Sequence, residues 1–375
     1  MGALGEVAFF AALILVILVH EAAHFGVAKA FHIKVTEFFV GFGPRLWSTR
    51  RGETEYGVKA IPAGGYVKIA GMSPYEVITP EDLPRTYGAK PAWQRALVIV
   101  AGPLTHLALA YLCFGIWLGL VGEPVSASPL VAAVASTLDN GVRSPAAEAG
   151  IRAGDRIVRV DSINDPTDTQ LVAYTRRHVD EPITLTVERD GRELTFTVTP
   201  VLSTVGDQKV GRVGVELTSA RERAGLVGSV TGGARLVGTA VSETIRGIGM
   251  IFGPEGLGRI ARLLFTNAPR TASDGGPLSV VGVGRAVGQT AEQGHFGDIL
   301  YIFAIVNVFI GLINLLPLPP FDGGHLAVLA VEKVRGRKVD MRKVAPVAAV
   351  VAAFFILFTL SVVYLDIVKP VNLSP

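Results

Sequence analysis

Residues 13–28 read LILVILVHEAAHFGVA, an apolar run interrupted by two histidines and a glutamate. In a helix, residues i and i+4 share one face. His20 and His24 can therefore hold one metal ion, with Glu21 beside it. This is the H-E-x-x-H pattern of zinc hydrolases. Neutral imidazole binds zinc at about 2.0–2.1 Å, and a catalytic site keeps one position for water. Zinc lowers the pKa of such a water to about 7, and a nearby carboxylate can accept its proton. Ionisable groups inside an apolar span are costly and point to function. The structural alternative is a set of buried polar groups satisfied by hydrogen bonds between helices.

The rest of the chain fits a membrane setting. Of 375 residues, 50% are hydrophobic and 18% charged, against about 25% charged in soluble domains. That composition excludes intrinsic disorder as the overall state. The net charge is +3, and no basic tract is interleaved with aromatics, so nucleic acid is not an expected partner. The lone cysteine, Cys113, forbids an intrachain disulfide and a cysteine-based zinc cluster. Four segments are long enough to cross a bilayer, which takes about 20 helical residues. They run roughly over Val7–Phe31, Ala96–Val121, Ile299–Leu318 and Val344–Val363. The first lacks the basic start and cleavage site of a signal peptide.

Basic residues orient the spans. Lys29, Lys34, Arg45, Arg50, Arg51, Lys59, Lys68, Arg85 and Lys90 lie in residues 32–95 or just before them, and Lys333, Arg335, Arg337, Lys338, Arg342 and Lys343 lie in residues 326–343. The positive-inside rule puts both loops in the cytoplasm. Both termini and the segment 122–298 then lie outside a plasma membrane crossed several times, with the site toward the cytoplasmic side. Within that outer segment, Ser144–Asp155 reads as a short helix and glycine turn, Ile157–Val160 as a strand and Thr167–His178 as a helix. Ile183–Glu188 and Glu193–Val198 alternate as strands around an Asp190-Gly191 turn. Residues 122–202 thus resemble an α+β PDZ domain, a fold that holds extended peptides at a sheet edge. A generic α+β spacer is the plainer reading. Residues 203–298 are a juxtamembrane region, with helical periodicity beyond Val215 that suits amphipathic helices on the membrane surface.

Two histidines leave a zinc ion short of protein ligands. The third span, residues 299–325, ends in NLLPLPPFDGGH (314–325), and Asp322 is the best remaining candidate. Pro317, Pro319 and Pro320 break the helix there. Gly323 and Gly324 permit close backbone approach. An interrupted helix at membrane depth must be shielded by protein or line a cavity. His325 is a candidate outer partner of the metal, or a surface turn residue. Asn314 and Asn307, seven apart, share a face and suit hydrogen bonds between helices.

Several blocks in order, HEAAH (20–24), FVGFGPRLW (39–47), GVKAIPAGGYVKIAGM (57–72), WQRALVIVAGP (93–103), GGPLSVVGVGRAVG (275–288) and NLLPLPPFDGGH, resemble the site-2 protease family. The likeness is to bacterial members with one PDZ domain, closest to the actinobacterial branch, and covers nearly the whole chain. It implies a polytopic α-helical membrane protein with four transmembrane helices, residues 1–31, 96–121, 299–325 and 344–366. It further implies a re-entrant β-hairpin within 32–95 and an inserted PDZ-like domain. One Zn²⁺ per chain would be held by His20, His24 and Asp322, with Glu21 as catalytic base. Asn314 would hold the substrate backbone, and Ala60–Ile69, with Pro62, Gly64 and Gly65, would pair with unwound substrate. The substrates implied are single-span membrane proteins such as anti-sigma factors already trimmed by an upstream site-1-type protease. A peptide or substrate ectodomain would meet the PDZ domain. Two departures stand out. Phe321-Asp322-Gly323 replaces the family's LDG, and Gly102-Pro103-Leu104-Thr105-His106 places histidine where the family's G-P-x-x-N motif has asparagine. The rival reading is a metal transporter or membrane scaffold, though the two halves show no internal repeat.

Overall fold

The computed structural model describes residues 2–73, 75–124, 129–138, 141–205, 208–218, 221–266, 268, 270 and 276–371. Gly275, which opens the GGPLSVVGVGRAVG block, lies outside them, as do residues 125–128 and 139–140 of the expected outer domain. The chain divides into two units, Met1–Leu118 with Leu226–Pro375, and Gly119–Gly225.

The first unit opens with α1 (Gly2–Ala30), β1 (Val35–Arg51), β2 (Thr54–Ile69) and α2 (Ala92–Leu120). The two strands pair antiparallel overall, but each folds back on itself. Val35, Phe38 and Val40 pair with Ile69, Val67 and Gly65. On their other side, Glu37, Phe38, Phe39 and Val40 run in step with Glu55, Tyr56, Gly57 and Val58. Beyond the bend, Trp47 and Arg51 pair with Val58 and Thr54. The result is a four-rung sheet in the order 45–51, 54–59, 35–40, 65–69. Gly41 (φ +87°) and Gly64 (φ +138°) make the bends, in backbone regions that side-chain-bearing residues avoid. β2 thus reverses between residues 59 and 65, near Gly64, but its two arms do not pair with each other. Residues 35–40 lie between them, so the segment Ala60–Ile69 is not a hairpin paired on itself, as expected, and residues 65–69 pair with β1. No described strand covers the outer side of 65–69, which is an open edge.

The second unit follows with β3 (Glu123–Pro124), β4 (Leu130–Val134), α3 (Pro145–Ala149), β5 (Arg156–Val160), β6 (Ile163–Asn164), α4 (Asp168–Arg177), β7 (Ile183–Arg189) and β8 (Arg192–Val198). It ends with β9 (Val201–Val205), β10 (Gln208–Arg212), β11 (Val215–Thr218) and β12 (Arg221–Glu222). Its main sheet has the order β11-β4-β5-β7-β8, with β6 beside β5. Asp190 (φ +51°) and Gly191 (φ +73°) make the β7–β8 turn. Thr167 and Gln170 form a capping box on α4. Val131, Ile157, Val160, Leu171, Leu185, Val187 and Val213 make the core. The unit runs past the expected limit at residue 202 because β11 completes the sheet, so strands occupy ground expected to be helical.

The first unit resumes with α5 (Leu226–Phe252), α6 (Pro254–Phe265), α7 (Val280–Glu292), α8 (Phe296–Asn314), α9 (Asp322–Arg335) and α10 (Met341–Val368). α1, α2, α8 and α10 are long and apolar enough to cross a membrane. On α10, Val350, Ile356, Leu357 and Leu360 are exposed, as expected of a helix whose solvent is hydrocarbon. The chain is a polytopic helical membrane protein. The third span is shorter than expected: α8 stops at Asn314, and the FDGGH segment opens the separate helix α9. The three prolines between them supply no continuing N–H pattern.

Candidate metal centre

α1 carries His20, Glu21 and His24 on adjoining faces of consecutive turns, and both histidines are buried. Asp322 arrives from another direction as the first residue of α9. It reaches the histidines because α9 starts tight against the end of α8. A Cβ at Gly323 would lie 2.2 Å from the carbonyl oxygens of Leu315 and Leu316, and one at Gly324 would lie 2.4 Å from the nitrogen of Pro319. Phe321 packs edge-on against Phe355 of α10, ring centres 4.9 Å apart, so the phenyl group that replaces the family's leucine anchors the start of α9.

Three atoms converge. His24 Nε2 lies 3.1 Å from His20 Nε2, and each lies 3.3 Å from Asp322 Oδ2. Ligands about 2.0–2.1 Å from a tetrahedral zinc ion stand about 3.3–3.4 Å from one another. The triangle has that size. Asp322 Oδ2 is buried without a hydrogen-bond donor, and so is His20 Nδ1 without a partner. A buried carboxylate oxygen so placed is strongly disfavoured unless a cation meets it. The donor set therefore fits a zinc ion. His24 Nδ1 donates to the Val98 carbonyl at 2.7 Å, which leaves its Nε2 lone pair free for a metal. α2 approaches closely through Gly102, where a Cβ would lie 2.3 Å from His24 Nε2.

Glu21 is turned toward the sheet. The Val67 backbone N–H lies near its carboxylate, and a Cβ at Gly65 would lie 3.3 Å from Glu21 Cγ. Gly65 and the edge 65–69 thus adjoin Glu21, while the space beside Gly64 is taken by the Phe42 ring. Asn314, at the end of α8, turns back on its own helix and donates to the Ile310 carbonyl at 3.1 Å. Its side-chain amide makes that bond rather than one to His20, His24 or Asp322. His325 lies half-buried one turn into α9. His106 and Asn307 meet across α2 and α8 at 3.1 Å. The Val98 carbonyl and the Val67 amide were invisible in the sequence because any residue supplies them; the GP pair at 102–103 was the one visible sign of the close α2 approach.

Residues 8–358 match the description of Peptidase family M50. The chain is 35% identical to the zinc metalloprotease Rip1 of Mycobacterium bovis over 98% of both chains. It is 34% identical to Rip1 of Mycobacterium tuberculosis, again over 98% of both. It is 32% identical to Rip1 of Mycolicibacterium smegmatis, over 100% of this chain and 99% of the other. With buried ligand atoms spaced for zinc, a glutamate beside them and similarity along nearly its whole length, the chain belongs to Peptidase family M50, the site-2 protease family of zinc metalloendopeptidases.

Proposed function

We propose that the chain carries out regulated intramembrane proteolysis. It hydrolyses peptide bonds in or beside the transmembrane helix of single-span membrane proteins, pre-trimmed anti-sigma factors among them. The observation that carries this reading is the buried triangle of His20 Nε2, His24 Nε2 and Asp322 Oδ2, set within an apolar span next to Glu21. One zinc ion held there by His20, His24 and Asp322 would supply a Lewis acid for the scissile carbonyl and would make a water molecule acidic near neutral pH. Glu21 moves the proton: its carboxylate takes it from the attacking water and returns it to the leaving amine. The nearby Val67 N–H is placed to steady that carboxylate between transfers.

A helix hides its carbonyls in its own hydrogen bonds, so the substrate must unwind before it can react. The open edge 65–69 offers main-chain partners for an extended substrate; Gly65 keeps that edge free of bulk beside Glu21, and Gly64 supplies the bend that leads into it. Asn314 holds the substrate backbone once its amide leaves the Ile310 carbonyl. The unit Gly119–Gly225 is read as PDZ-like, its terminal strand β11, which has no described strand on its outer side, being placed to take up a peptide or meet a substrate ectodomain. Both termini and this unit lie outside the cell, and the site opens toward the cytoplasmic side.

The test is cleavage of single-span substrates, intact and truncated, by purified wild type and Glu21→Gln in detergent, with metal analysis of both. Zinc in both and cleavage by wild type alone is the expected result. Cleavage by Glu21→Gln removes the base assignment. Zinc in both without cleavage by either moves the reading to transport or scaffolding.

A further inference from the structure

The two candidate ligand histidines are not equally supported. An imidazole that binds metal through Nε2 carries its proton on Nδ1, and such an N–H almost always finds an acceptor that fixes the ring. His24 has the Val98 carbonyl. His20 Nδ1 is buried with no partner. Besides the His24 ring, 4.7 Å away centre to centre, the ring packed against the His20 ring belongs to His106, centre to centre 5.0 Å and tilted by 46°. His106 lies one helical turn beyond Gly102 on α2, so it shares the face that meets the histidines. It is 1% exposed.

The hydrogen bonds around His106 set its tautomer. Asn307 Nδ2 donates to the Phe303 carbonyl at 2.9 Å, which leaves Asn307 Oδ1 to face His106 Nδ1 at 3.1 Å. An amide oxygen only accepts, so His106 carries its proton on Nδ1 and presents a bare lone pair on Nε2. A buried donor without an acceptor therefore lies against a ring with a free acceptor. A small rotation of the rings, or one bridging water, joins them.

We propose that His106 is the positioning residue for His20: a relay from Phe303 through Asn307 and His106 holds the His20 ring in its metal-binding tautomer. The inference rests on the zinc-site reading above. It gives the histidine in G-P-x-x-H a role that Asn307 shares.

The test is zinc affinity of the full-length protein in detergent, read by competition with a chromophoric chelator, together with the visible spectrum of the Co²⁺-loaded protein. His106→Leu and Asn307→Leu are expected to weaken zinc binding about 10- to 100-fold each, the range for loss of such an outer partner. The double variant is expected to be little worse than His106→Leu, because both act through one chain of contacts. His106→Gln, which keeps an acceptor, is expected to restore most of the affinity and the wild-type cobalt spectrum. Wild-type affinity and spectrum in His106→Leu overturn the assignment, as does an additive loss in the double variant. A wild type that binds no zinc overturns both this inference and the site reading beneath it.

Discussion

Gly102 faces His24 across a gap too narrow for a methyl group: a Cβ at residue 102 would lie 2.3 Å from His24 Nε2 and 2.6 Å from His20 Cε1. The side chains it would strike are no flexible ends free to yield. His24 is tied to Val98 and both rings are buried. Gly102→Ala must therefore push the ligand nitrogens off their positions or α2 away from α1. A misplacement approaching 1 Å costs on the order of 10²-fold in rate. The expected outcome is a drop of that size in substrate cleavage, with lowered zinc content after dialysis against a weak chelator. Wild-type zinc content and rate would show that α2 is not packed on the ligands.

The Glu21–Gly65 contact gives a separable prediction. A Cβ at Gly65 would lie 3.1 Å from the Phe39 carbonyl oxygen and 3.3 Å from Glu21 Cγ. A methyl group there asks for a small adjustment; the branched side chain of Gly65→Val must displace Glu21 or block the edge. Neither change touches His20, His24 or Asp322. Cleavage should fall by about tenfold or more, by the same positional argument, while zinc remains bound at the wild-type level. Parallel loss of zinc would mean that the edge strand supports the ligands rather than the base and substrate.

What could be read from the sequence divides by physical cause. HEAAH in an apolar run, and the proline-broken FDGGH segment, stand out because ionisable groups and helix breakers are expensive at membrane depth. The strands Ile183–Arg189 and Arg192–Val198 were legible through their alternation and their Asp-Gly turn. The fold-back of β1 and β2 was not, because pairing Phe38 with both Val67 and Tyr56 is a choice of partners that alternation does not encode. The reach of the second unit to Gly225 was hidden for the same reason: β11 belongs to it by pairing with β4, across a long sequence interval. Asn307 was expected to make a hydrogen bond between helices and does so; that its partner is His106 required the packing of α2 on α8.

Inside the second unit, Arg189 and Asp155 form a two-pronged ion pair, Nε to Oδ1 at 2.6 Å and a terminal nitrogen to Oδ2 at 2.7 Å. Burial alone pushes the Asp155 carboxyl up, but the Arg189 guanidinium and the Arg152 N–H outweigh it and hold the carboxyl below its ordinary value. A depressed folded-state pKa stabilises above the unfolded value, about 3.9, and that contribution fades as pH falls through the folded value below it. The unit should therefore hold its structure through mildly acidic pH and lose stability below about pH 4. Arg189→Leu leaves Asp155 buried without its cation, a loss of about 3–5 kcal/mol. Its thermal unfolding should then occur at clearly lower temperature at pH 7, and the gap from wild type should narrow toward pH 3. A gap that is constant with pH would show that the lost packing of the arginine, not the charge pair, sets the difference.

The ends of that same unit lie side by side, since Glu123 pairs with Glu222 and Pro124 with Arg221. Excising residues 125–220 and closing the gap with a short Gly-Asn turn leaves two ends already at strand-pairing distance, about 5 Å apart. This makes a cleaner deletion than one ending at residue 202, which would strand β11 without β4. Removal tests how the unit governs access to the site. If it screens out substrates that keep their ectodomain, the excised enzyme should cut untrimmed single-span substrate as readily as trimmed substrate. If it recruits substrate through the β11 edge, cleavage of trimmed substrate should fall, and a competing peptide should reproduce that fall in wild type. Unchanged cleavage of both substrates would show that the unit takes no part in selection.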